Sequence, residues 1–152
     1  MFKDDEMDTI VTRGTFLLEK GYKMEKRGRS VEFISENFKV GFLSEFQYVD
    51  MNINVIGKSK WHSMEWIMRI MFYVIKRYEN RKEQIEFQLE FLQENYDVIM
   101  NNAFFNEYVE KMEYVSNYLS ENFKDFRSLD IFMKENDLPQ TWKEILSQKS
   151  GQ

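Results

Sequence analysis

The apolar period of this chain changes twice, and those two changes bound what it can fold into. Up to Gly21, the residues Met7, Ile10, Val11, Leu17 and Leu18 recur at helical spacing, with Gly14 in the same stripe. Asp5 or Asp8 is placed to cap the start of that helix and Gly21 to end it. From Tyr22 the period drops to 2. Val31 and Phe33, then Phe38, Val40 and Phe42, then Val49, Met51, Ile53 and Val55 alternate with polar neighbours. Successive side chains on a strand point to opposite faces, so this pattern expects one buried sheet face and one solvated face. Arg27-Gly28-Arg29-Ser30 and Glu36-Asn37 read as turns, and Glu45-Phe46-Gln47 as a weaker break. The segment is predicted to be a meander of three or four antiparallel strands.

After Gly57 the helical period returns. Ser63 is placed to cap a helix whose apolar positions are Met64, Ile67, Met68, Met71, Val74, Ile75 and Tyr78. Their near-heptad spacing suits a core stripe, and the same stripe would also serve a homodimer contact. A second helix is expected over residues 81–100 through Ile85, Leu89, Leu92, Tyr96 and Ile99, with Asn101-Asn102 either breaking it or continuing it. A third uses Phe105, Tyr108, Val109, Met112, Val115, Leu119 and Phe123. Shorter helices are expected at residues 126–134 and 139–146, where Pro139 suits a first turn, and residues 147–152 read as a frayed tail. The expectation is one α+β domain over residues 1–152. An N-terminal helix and a three- or four-stranded meander fill residues 1–57, and the helical C-terminal half, residues 58–147, packs on the sheet.

Composition narrows the class further. A chain of 152 residues with 43% hydrophobic and 16% aromatic side chains is long and apolar enough to bury a core, not a disordered polar segment. There is no Cys, which excludes disulfides, thiolate zinc sites and thiol catalysis, and suits the cytoplasm. Met1-Phe2-Lys3-Asp4-Asp5-Glu6 is acidic and has no apolar core of a secretory signal. No apolar run approaches the ~20 residues of a membrane span, and the strongest candidate, residues 66–75, is short and interrupted by Arg69. A soluble cytoplasmic protein is expected. The net charge of −5 argues against general nucleic-acid binding, although residues 58–82 are locally basic.

Catalytic constellations are sparse. His62 is the only histidine, so it lacks the second imidazole of an HxxxH or HExxH zinc motif. Carboxylates at 83, 86, 90 and 94 lack the Glu-x-x-His pairing of di-iron bundles. No GxGxxG, GxxxxGK[ST] or GxSxG is present. No cofactor or metal is expected. A small enzyme or ligand-binding domain remains an alternative, with His62, Trp61, Tyr48 and Asp50 lining a pocket between sheet and helices. Lys58, Lys60 and Trp61 could together meet a phosphate backbone and a base.

One surface feature points outward. Glu83, Glu86, Glu90, Glu94, Asp97, Glu107 and Glu110 lie in a stretch with no Lys or Arg. At about 100° per residue, the first five fall within an arc of roughly 80° on a helix. Phe87 and Phe91 flank that arc at i,i+4 spacing, away from the Leu/Ile stripe. An aromatic pair rimmed by acids suits a protein-binding face, and its partner would be basic. A neighbouring helix covering both rings is the competing expectation.

The helix ending in Leu17-Leu18-Glu19-Lys20-Gly21-Tyr22, the meander from Val31-Glu32-Phe33-Ile34-Ser35 to Asn52-Ile53-Asn54-Val55-Ile56, and the acidic helices after it resemble small bacterial immunity proteins of toxin–immunity pairs. The resemblance covers about the first 57 residues in outline. It implies a cytoplasmic inhibitor that blocks a cognate toxin's cleft, with carboxylates replacing substrate phosphates where the toxin is a nuclease.

Overall fold

The computed structural model describes residues 1–150, and the expected tail residues Gly151 and Gln152 lie outside them. The fold is α+β, with an N-terminal helix, an antiparallel sheet and a helical C-terminal half. It divides into two compact units. The first joins Met1–Met64 to Arg77–Asn101, and the second joins Glu65–Lys76 to the chain from Asn102 onward.

In the first unit, α1 (Asp4–Arg13) starts at Lys3, whose backbone N–H donates to Glu6 Oε1 at 2.9 Å. Asp5 and Asp8 therefore lie inside the helix and do not cap it. The helix is interrupted at Gly14 and resumes as α2 (Thr15–Glu19). A Cβ at Gly14 would sit 2.6 Å from Phe33 Cζ, so the interruption is also where the sheet meets the helices. Ile10 and Leu17 are fully buried, whereas Val11 and Leu18 from the expected stripe are exposed. The kink at Gly14 ends the single helical phase on which that stripe was read.

The sheet has five strands in sequence order, not three or four: β1 (Lys23–Arg27), β2 (Ser30–Ile34), β3 (Phe38–Ser44), β4 (Val49–Val55) and β5 (Trp61–Ser63). Each pairs antiparallel with the next. β1 is exposed at every position, so it carries no apolar alternation, and β5 is only three residues long. Edge strands of this kind leave little periodic signal. On the inner face Val31, Phe33, Val40, Phe42, Val49, Met51 and Ile53 are buried, as the period of 2 requires.

Two further helices belong to this unit. α4 (Arg81–Glu94) buries Gln84, Ile85, Gln88, Leu89 and Leu92. Asn80 caps it by accepting from the Glu83 N–H at 2.8 Å. Gln84 Oε1 accepts from the Val49 N–H, fastening the helix to β4. The expected helix over residues 81–100 is broken at Asn95, whose side-chain amide donates to Phe91 O and draws the chain out of helical geometry. α5 (Tyr96–Ile99) follows.

α3 (Met64–Met71), which belongs to the second unit from Glu65 onward, begins directly after Ser63, the last residue of β5. It stops well short of the expected Tyr78. Phe72-Tyr73-Val74-Ile75 is a run of aromatic and β-branched residues that lose χ1 freedom in a helix. Tyr73 turns left-handed (φ 56°), and the Val74 N–H donates to Met68 O. α6 (Asn102–Asn122), α7 (Phe126–Asn136) and α8 (Pro139–Ser150) complete the unit, α8 taking in residues expected to fray. Asp125 caps α7 through the Ser128 N–H at 2.7 Å.

The second unit is organised by a buried charge pair. Arg69 Nε and Nη2 each lie 2.9 Å from the Asp137 carboxylate, and Trp142 Nε1 donates to Asp137 Oδ1 at 2.7 Å. The Arg69 guanidinium also sits 4.4 Å from the centre of the Trp66 ring. Among the described residues, no buried side-chain nitrogen or oxygen lacks a hydrogen-bond partner, and no helix is long and apolar enough to cross a membrane.

Candidate functional site

The acidic arc survives on α4 but not beyond it. Glu83, Glu86 and Glu90 are half-buried along the helix and Glu94 is exposed near its end. Asp97 is exposed on α5, past the Asn95 break, so it no longer shares the helical phase of the others. Phe87 and Phe91 are half-buried and stack on each other with ring centres 6.4 Å apart. Tyr78 meets Phe87 edge-on at 6.0 Å.

Glu90 and Glu86 have cationic neighbours within the chain. Arg13 Nη1 lies 2.9 Å from Glu90 Oε1, and Lys82 Nζ lies 3.9 Å from Glu86 Oε1. The stripe is therefore not wholly unneutralised, because its counter-charges come from outside residues 83–110. Arg13 arrives from α1, which packs alongside α4. Both partners of that pair remain nearly half exposed, at 46% and 45%. Such surface pairs hold each other weakly.

The packing of α1 on α4 adds acids that the stripe alone did not include. Asp5, Asp8 and Glu86 share one open groove of about 330 Å³ with Thr9, Arg13 and Lys82. Where the two helices begin, Arg81 reaches Glu6, Ser44 and the carbonyl of Glu45. That anchor fixes the β3–β4 turn, on which Phe46 is 92% exposed. In the sequence this phenylalanine looked only like part of a weak break. The signal available was a large apolar residue outside any periodic pattern.

The alternative pocket does not assemble. In β5, Trp61 and His62 point to opposite faces of the sheet, with His62 paired to the buried Ile53 and Asp50 paired to Leu43 on the open face. Tyr48 precedes β4 and is exposed. Burial first, and the charge of Lys60 second, hold the His62 imidazole below its ordinary value, so it is neutral at pH 7. Lys58 and Lys60 sit in the β4–β5 loop, where their carbonyls accept from Asn54 Nδ2. Among the described residues, no group of three or more His, Asp or Glu side chains is placed to hold a metal ion. No protein-family model, curated protein or solved structure matches this chain.

Proposed function

We propose that this chain is a non-catalytic protein-binding domain of the cytoplasm that masks a basic protein through the surface formed by α1 and α4. The observation that supports it is the groove in which Asp5 and Asp8 of α1 join Glu86 of α4. Glu83, Glu90 and Glu94 continue the acidic rim along α4, while Asp97, past the Asn95 break, lies outside that rim. Phe87 and Phe91 supply half-buried aromatic surface, and Phe46 is an exposed apolar tip on the β3–β4 turn. Cations of the partner would displace Arg13 and Lys82 at little cost, because exposed pairs contribute about 0–1 kcal/mol. The resemblance to immunity proteins fits this mode, in which carboxylates occupy a toxin's cationic cleft.

The test is capture from a native lysate with the tagged chain and with its E86K/E90K/E94K variant. Retention of a basic protein by the first and its loss from the second, with the circular dichroism spectrum unchanged, supports the reading. Equal capture by both overturns it.

A further inference from the structure

Phe33 of the inner sheet face lies on the α1–α2 junction; the opposite, open face of the same sheet holds a separate concavity. Glu32, Gly41 and Asn52 form one row across β2, β3 and β4 by strand register. Gly41 forms the floor because Trp61 reaches across from β5. A Cβ at Gly41 would stand only 2.9 Å from Trp61 Cζ3 and 3.2 Å from Cη2. Leu43 and the Trp61 indole form apolar walls, and Ser30 and Asn52 complete a dish of about 230 Å³. That is below the ~300 Å³ at which pockets for drug-sized ligands begin, so it suits a single head group.

The polar groups of this dish are unspent in a particular way. Glu32 and Asn52 are half-buried, and neither side chain makes a hydrogen bond or ion pair among the described residues. Ser30 already donates its hydroxyl proton to Arg27 O, leaving only its lone pairs. The neighbouring Glu25 is held by Arg27 at 2.9 Å, so Glu32 is the carboxylate left available here. A carboxylate, a hydroxyl with its proton engaged and an amide oxygen make an acceptor-rich set beside apolar walls.

We infer that this dish is a binding site for an alkylguanidinium group. Guanidinium carries five N–H donors and no acceptor, and its planar fork matches a carboxylate. Its alkyl stem would lie along Leu43 and the indole, as long cationic side chains do on apolar surface. An anion would be repelled by Glu32, and a neutral urea would lose the charge-assisted bond. The inference is independent of the α1–α4 surface.

The experiment follows the Trp61 indole N–H in ¹H–¹⁵N spectra, assigned with W61F, during titration with N-acetyl-arginine amide. A saturable shift is expected, weakened about tenfold or more in E32Q because a hydrogen bond to a charged group is lost. E25Q should change it less than about twofold, since its partner lies outside the dish. The isosteric N-acetyl-citrulline amide should give no saturable shift. G41A, which displaces the indole, should abolish binding while the amide spectrum of the sheet persists. Tighter binding of an acetyl-Gly-Arg-Gly amide than of agmatine assigns the ligand to a protein side chain, and the reverse order to a free guanidine. No saturable shift, equal binding in E32Q, or equal binding of the citrulline analogue overturns the inference. E86K/E90K/E94K should leave the Trp61 shift unaltered, so the two readings can fail separately.

Discussion

Arg81 Nε lies 2.9 Å from Glu6 Oε2, and the same guanidinium reaches Ser44 Oγ and the carbonyl of Glu45. One side chain at the start of α4 therefore ties together α1 and the β3–β4 turn. Its partner Glu6 is only 5% exposed at the side chain, so the pair is shielded from solvent. Removing the cation alone strands a buried carboxylate. R81M is expected to cost about 3–5 kcal/mol, as for a buried pair broken on one side. Urea unfolding measures it, and a loss below about 1 kcal/mol would mean the pair is solvated.

The Arg13–Glu90 pair has similar length and very different exposure. R13A is expected to lower stability by less than about 1 kcal/mol. It also uncovers Glu90, so binding of a basic partner should tighten. Weaker binding by R13A would mean that Arg13 itself touches the partner.

In the second unit, Asp137 accepts from both Arg69 and Trp142. D137A leaves the Arg69 guanidinium buried without its counter-charge, at an expected cost of about 3–5 kcal/mol. D137N keeps the shape and an acceptor and should cost less. Thermal unfolding of both variants gives the order, and D137N equal to D137A would show that charge outweighs hydrogen bonding here.

His62 supplies a pH dependence with a definite sign. Its folded-state value is held below the ordinary 6.5, first by burial and then by Lys60. In that window the unfolded chain binds the proton more readily than the folded chain. The contribution is therefore fully present above about pH 6.5 and is lost as pH falls toward the folded-state value. H62Q should flatten stability between about pH 7.5 and 5.5 relative to the wild type. An unchanged slope would place the titration elsewhere.

Much of this architecture was legible in the period of the sequence, because burial on one sheet face forces alternation. Val31, Phe33, Val40, Phe42, Met51 and Ile53 are buried as that rule demands. The misses have local causes. β1 buries nothing and leaves no pattern, and the stripe running to Tyr78 followed hydrophobicity past a segment whose backbone turns at Tyr73. Asn95 breaks the acidic helix with its own amide. The acids of α4 were legible individually, but their neighbours were not. Arg13, Asp5 and Asp8 come from α1, and only packing brings them beside Glu86 and Glu90. Trp61 over Gly41 was hidden for the same reason.

Hydrogen–deuterium exchange of the chain, with and without the basic protein it captures, tests the central claim most directly. Slowed exchange confined to peptides covering α1, the β3–β4 turn and residues 81–97 is the predicted result. Unchanged exchange across those peptides, with protection appearing elsewhere, would contradict it.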